Sequence, residues 1–375
     1  MNPKKIRALV VDDSSVVRHA ISDALKHDPE IEVVGTAADP YDARDKILAL
    51  NPDVLTLDIE MPRMDGLTFM RILLKHRPLP IVIISSLTQA GSRIALDAME
   101  AGAVDVIAKP TSAWGIGDLG AQLCQRVKGA ATASLRRSFG GSSALRPASV
   151  TGSTRFNPRQ IILLGASTGG TEALKFVLTR LPDGLPGICI VQHIPPVFSR
   201  TFAERLNEEC ALEVREAVSG DELRPGLALL APGDYHMMIV WNNDRYRVVL
   251  NQAPPVHYTR PSVDMLFNSA ATCGGRHAVA AILTGMGSDG ATGMSKLKSG
   301  GAMTFAQNEA TCVVYGMPRA AVEMGAVDQI LPLDEIPDAL VRSVVSRSGA
   351  GHSLANPEAS TQPKSCYTAN LQHHS

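Results

Sequence analysis

Residues 6–13 read Ile-Arg-Ala-Leu-Val-Val-Asp-Asp, an apolar run that stops on two carboxylates. The figure recurs at 53–58, Asp-Val-Leu-Thr-Leu-Asp, while the run at 104–110, Val-Asp-Val-Ile-Ala-Lys-Pro, closes on a cation. Working outward, IEVVGTA (31–37) and IVIISS (81–86) bring the strand candidates to five. Amphipathic stretches such as SVVRHAISDALKH (15–27) and YDARDKILAL (41–50) lie between them. Strands alternating with helices of this length predict a parallel sheet with helices on both faces. Near-continuous Val/Ile/Leu runs fit strands buried on both sides. The expected order is 2-1-3-4-5, in a first domain over residues 1–123.

Sites in such sheets form at the carboxyl ends of the strands. Asp12, Asp13 and Asp58 end the first and third strands. Carboxylates so close repel one another unless a cation or chemistry compensates. Three of them suit a hard divalent ion, Mg²⁺, with water completing its octahedron. Asp58 stands alone in mid-sheet and is the expected nucleophile toward a phosphoryl group, giving an acyl phosphate. Ser85 and Lys109 supply the hydroxyl and the ammonium to hold the new dianion. Each aspartate taken singly also reads as a helix N-cap, as Ser14 or Asp13 would be for the stretch that follows. The five positions in this order, with MPRMDG (61–66) after Asp58, resemble the receiver domain of two-component response regulators. That resemblance implies a flavodoxin-like fold and phosphorylation at Asp58. One position departs: Val106 stands where many receivers carry an aromatic.

Residues 124–156 are small, polar and weakly basic and are expected to form a flexible linker. From 157 to 347 the alternation returns with IILLGA (161–166), ICIVQ (188–192), LALLAP (227–232), AVAAILTG (278–285) and AMTFAQN (302–308). HMMIVWNNDRYRVVLNQ (236–252) is two alternating runs around Asn-Asn-Asp, a hairpin signature. The second domain is therefore expected to be a doubly wound, mostly parallel α/β sheet with one antiparallel hairpin. The Ser-, Asn-, Gln- and His-rich tail, 348–375, is expected to be disordered.

Three motifs follow apolar runs here: Gly165-Ala166-Ser167-Thr168-Gly169-Gly170, Gln192-His193, and Gly285-Met286-Gly287-Ser288-Asp289-Gly290. If the runs are parallel strands, Ser167, His193 and Asp289 emerge on one edge. A serine hydroxyl becomes a nucleophile when a base takes its proton, and that base needs a carboxylate to fix its tautomer. The chain order Ser, His, Asp matches none of the chymotrypsin, subtilisin or α/β-hydrolase orders. The Met286 N–H is a candidate oxyanion donor, and Thr168 a candidate to orient the imidazole. Other readings stand beside these. The first motif would suit a phosphate, although it lacks GxGxxG spacing and a Walker lysine. Asp289 suits an N-cap for GATGMSKLKSGG (290–301), and His236, His257 and His277 compete as bases.

The segments LGASTGG (164–170), VQHIPP (191–196), RPSVDMLF (260–267), ILTGMGSDGATGM (282–294) and AQNEATCVVYGMPRAA (306–321) resemble the catalytic domain of the chemotaxis methylesterases, the CheB family. A receiver joined by a linker to this domain is that family's architecture. The resemblance implies Ser167 as nucleophile, His193 as base and Asp289 as orienting acid. It also implies hydrolysis of γ-glutamyl methyl esters on chemoreceptors with release of methanol, and deamidation of receptor glutamines. A chemosensory histidine kinase would be the phosphodonor, and no cofactor would be needed at the esterase site. The rival reading is a scaffold that docks receptors or drains phosphoryl groups without turnover.

Composition narrows the classes. A net charge of -1 gives no electrostatic reason for nucleic acid binding. The six cysteines are scattered with no CxxC pair, as in a cytoplasmic protein without disulfides or structural zinc. No apolar run approaches the roughly 20 residues that span a bilayer. A monomer in the cytoplasm, not inserted in the membrane, is expected.

Overall fold

The structure, a computed structural model, describes residues 4–109, 118–133 and 156–349. Pro110, most of the expected linker and nearly all of the tail lie outside the described residues. The first domain contains β1 (Ile6–Val11), α1 (Ser15–Lys26), β2 (Ile31–Ala37), α2 (Pro40–Leu50), β3 (Val54–Asp58), α3 (Gly66–His76), β4 (Ile81–Ser85), α4 (Gln89–Glu100), β5 (Asp105–Ala108) and α5 (Asp118–Ala131). Its five strands are parallel in the order β2-β1-β3-β4-β5, as expected. Ser14, Asp39, Asp65 and Thr88 cap α1 to α4, each accepting a hydrogen bond from a first-turn N–H. Gly66 has a steric reason: a Cβ there would lie 2.0 Å from the Asp58 carbonyl oxygen. That close approach is what the Met-Asp-Gly turn after β3 requires.

The second domain continues with β6 (Ile161–Ala166), α6 (Gly170–Leu178), β7 (Ile188–Gln192), α7 (Phe198–Glu209), β8 (Glu213–Glu216), β9 (Leu227–Leu230), β10 (His236–Asn242), β11 (Arg245–Asn251) and α8 (Val263–Gly274). It ends with β12 (Ala278–Ile282), α9 (Ala291–Ser299), β13 (Met303–Gln307), α10 (Met317–Glu323), β14 (Gln329–Leu331) and α11 (Ile336–Gly349). Seven of these strands form a parallel sheet in the order β14-β13-β12-β6-β7-β9-β8. β10 and β11 pair separately as the antiparallel hairpin. The central strands β6, β7, β9 and β12 are buried along their whole length. Their continuous apolar composition follows from cover on both faces.

Two boundaries differ from expectation. Residues 124–131, placed in the expected linker, are the final turns of α5, a helix continuing from the first domain. Leu123, Cys124, Val127 and Ala130 of that helix are buried against the first sheet. At the other end, α11 runs to Gly349, two residues past 347. The domains touch over α4, which packs on α6 and α7. Around it Glu100 pairs with Lys175 at 2.7 Å, and Arg205 pairs with both Asp97 and Glu100.

Candidate active site

At the carboxyl edge of the first sheet, oxygens of Asp12, Asp13 and Asp58 lie within 4.8 Å of one another. Asp12 and Asp58 are buried and Asp13 is exposed. Lys109 Nζ donates to Asp58 Oδ2 at 2.7 Å. It lies 3.4 Å from Asp12 Oδ2, which has no hydrogen bond of its own. A buried orphan oxygen beside two more carboxylates fits a hard divalent cation. Burial pushes the Asp58 carboxyl up to about 6; the Lys109 hydrogen bond opposes this and the Asp12 charge adds to it. Ser85 ends β4 beside β3, and its hydroxyl donates to the Gly91 carbonyl at 3.2 Å.

The raised Asp58 value has two consequences. Without metal, the folded chain binds this proton more tightly than the unfolded chain, whose ordinary value is 3.8. The resulting stabilisation is complete below 3.8 and is lost as the pH rises through about 6. Protons also compete with a cation for Asp58. Mg²⁺ affinity measured by calorimetry should therefore fall as the pH drops through about 6. A pH-independent affinity would contradict Asp58 as a ligand.

In the second sheet β6 lies between β12 and β7, so their carboxyl ends are neighbours. Ser167 follows β6, His193 follows β7, and Asp289 lies in the turn after β12. His193 Nδ1 is 3.1 Å from Ser167 Oγ, and His193 Nε2 is 2.8 Å from Asp289 Oδ2. All three residues are buried. Asp289 is a helix cap as well, but for α8 rather than α9. It accepts from Ser262 Oγ at 2.8 Å, Val263 N–H at 2.7 Å and Asp264 N–H at 3.0 Å. Burial works against its charge, but the hydrogen bond and charge of His193 and the α8 N–H groups prevail and hold it below its ordinary value. Gly285 stands where a Cβ would come within 2.7 Å of Ser167 Cβ, so the two loops meet only because that residue is glycine.

Among the described residues, none of the other histidines bonds to Ser167 or Asp289. His236 is buried with Nε2 on the Pro254 carbonyl. His277 precedes β12, at the opposite edge. His257 lies near the site, 3.3 Å from Asp264 Oδ2, and lines the same small cavity of about 100 Å³ as Ser167, His193, Met286 and Asp289. Among the described residues, nothing accepts a hydrogen bond from the Met286 N–H. Thr168 departs from its expected part. Its hydroxyl donates not to the imidazole but to Asp105 Oδ2 of β5, at 2.6 Å.

That contact belongs to a network that joins the two domains. Asp105 also pairs with Arg126 of α5, whose Nη2 donates to the His193 carbonyl at 3.0 Å. Gln122, Gln125 and Arg126 line the cavity over Ser167, so α5 covers this edge. A signal was present: Arg126 falls in the stripe Leu123, Val127, Ala130 at helical spacing. A cation on a buried face must have a partner.

Fold and site together define a class: a receiver-type domain coupled to an α/β domain bearing a serine–histidine–aspartate constellation. Residues 8–116 match the response regulator receiver domain family, and residues 162–340 match the CheB methylesterase family. The protein-glutamate methylesterase/protein-glutamine glutaminase 2 of Syntrophus aciditrophicus is 51% identical over 91% of this chain and 99% of its own length. A protein of the same description from Pseudomonas aeruginosa is 49% identical over 93% and 99%. The crystal structure of the Thermotoga maritima CheB methylesterase catalytic domain is 38% identical, with a TM-score of 0.48, over 49% of this chain and 98% of that one. The chain belongs to the CheB family of protein-glutamate methylesterase/protein-glutamine glutaminases.

Proposed function

We propose that the chain hydrolyses γ-glutamyl methyl esters of chemoreceptors, deamidates receptor glutamines, and is switched on by phosphorylation at Asp58. The observation that carries this is the unbroken Ser167–His193–Asp289 hydrogen-bond chain. An ionised Asp289 only accepts, so His193 Nε2 carries the proton and Nδ1 offers its lone pair to Ser167. Ser167 Oγ attacks the ester carbonyl carbon and its proton passes to Nδ1. The tetrahedral intermediate collapses, the proton goes from Nδ1 to the leaving methanol or ammonia, and an acyl-serine remains. Water, deprotonated by Nδ1, then releases glutamate and restores Ser167. The free Met286 N–H is the donor for the developing oxyanion.

In the receiver, Asp12, Asp13 and Asp58 would hold Mg²⁺, which would screen the charge of a phosphoryl group at Asp58. Lys109 is placed to pair with the product, and Ser85 is expected to turn its hydroxyl from Gly91 toward it. The donor is a histidine kinase and the substrates are chemoreceptors. No described helix is long and apolar enough to cross a membrane. The expected place of action is the cytoplasm, on receptor segments reaching into it.

Methanol release from methylated receptor membranes, with and without a small phosphodonor, tests the whole reading. No release under either condition would leave the scaffold reading instead. The regulatory part has its own test. Removing the Asp105 carboxylate breaks the bond to Thr168 and the ion pair of Arg126, leaving Arg126 only backbone carbonyls. A charged hydrogen bond contributes about 1.5 kcal/mol, or roughly tenfold in an equilibrium. Asp105→Ala should raise hydrolysis by the unphosphorylated chain about tenfold. An unchanged basal rate would sink the covering role of the receiver.

A further inference from the structure

Gln192 ends β7, one residue before His193, and its side chain is buried. Its Nε2 donates to the Ser167 carbonyl at 2.8 Å and lies 3.4 Å from the His193 carbonyl. One amide group therefore joins the main chains of the two residues whose side chains meet at 3.1 Å. The Ser167 carbonyl takes a second bond from Gly170 N–H at 2.7 Å, and Ser167 N–H donates to Thr284 O at 3.0 Å. With the peptides on both sides of Ser167 held, a staggered χ1 decides where Oγ points. The His193 carbonyl is held differently, because it is shared with Arg126 of α5.

The other half of the amide shows why a glutamine stands there. Gln192 Oε1 is buried with no hydrogen-bond partner, and a Cβ at Gly170 would lie 2.2 Å from it. An unsatisfied buried oxygen is costly. A methionine would fill the same space without that cost, so retaining the amide points to the Nε2 side. We infer that Gln192 is a positioning residue for the hydrolysis, holding nucleophile and base in register. When the receiver withdraws Arg126, the Gln192 amide is the donor left on the His193 carbonyl. This rests on the reading of Ser167 as nucleophile and His193 as base.

The test uses the full chain, activated by a small phosphodonor, and methanol release from methylated receptor membranes. Gln192→Met keeps the bulk and loses the donor. Its kcat should fall about 10- to 100-fold with KM unchanged. Gln192→Glu carries a titratable donor. Protonated, its O–H takes the place of Nε2; ionised, it sets a carboxylate against two carbonyls. Near those carbonyls lie the Arg126–Asp105 pair, the titratable His193 with its partner Asp289, and His257 of the same cavity, and all are the same in both variants. The rate of Gln192→Glu relative to wild type should therefore climb as the pH is lowered, while that of Gln192→Met stays flat. A purely structural part for Gln192 would lower the rate only in step with the folded fraction, read from melting curves at each pH; a rate that follows the folded fraction in both variants overturns the inference, as does wild-type kcat in both variants. Ser167→Ala run alongside separates the causes. If it stays active, the reading of the site has failed. If it is dead and the Gln192 variants behave as wild type, only the positioning role has failed.

Discussion

Ser167→Ala stops methanol release, with kcat falling on the order of 10⁶-fold and the fold left intact. The side-chain hydrogen bond of Ser167 goes to His193 Nδ1. Its N–H and carbonyl, which hold the loop, are untouched by the substitution. The melting temperature should stay within a degree or two of wild type, since no buried group except the imidazole loses a partner. The variant should also accept phosphate at Asp58 normally, because the two sites share no ligand. A variant that keeps a tenth of the wild-type rate would show that another group attacks the ester.

Asp289→Asn is expected to cost about 10⁴-fold in kcat, and to destabilise the domain as well. The two effects come from different atoms. An amide presented to His193 Nε2 no longer demands its proton, so the imidazole can turn the wrong tautomer toward Ser167. The carboxylate oxygens also receive Ser262 Oγ and two N–H groups from the start of α8. An asparagine offers one acceptor where there were two, so buried N–H groups lose their partner, at about 1–3 kcal/mol. Thermal melting beside kinetics distinguishes this variant from Ser167→Ala: both lose activity, but only the aspartate change should lower the transition. Equal melting curves would mean that the α8 cap is satisfied some other way.

Much of this molecule was legible in its residues because the informative signals were long and periodic. Buried parallel strands announce themselves as unbroken apolar runs, so β1, β3, β6, β7 and β12 were readable almost to their ends. The catalytic edge followed from strand direction alone, since Ser167, His193 and Asp289 each follow such a run. The edge strands of the second sheet were not readable. β8 is Glu-Val-Arg-Glu and β14 is three residues long, and both are set by a neighbour's unpaired edge rather than by composition. The bond of the Thr168 hydroxyl is not legible for a related reason. Its partner Asp105 lies in the other domain, 63 residues away, and no local pattern reports on a hydrogen bond across that distance. The dual use of Asp289 is half legible: its position predicts a cap for α9, but the helix it caps begins 26 residues upstream.

The receiver grips the catalytic rim through the Thr168 hydroxyl and the His193 carbonyl, and thermodynamic reciprocity gives that grip a second meaning. If phosphate on Asp58 loosens the rim, then whatever occupies the rim must favour phosphate on Asp58 by the same factor. Receptor seated on that rim would thus be an effector of the enzyme that modifies it, raising the equilibrium share of phosphorylated copies among those engaged with it.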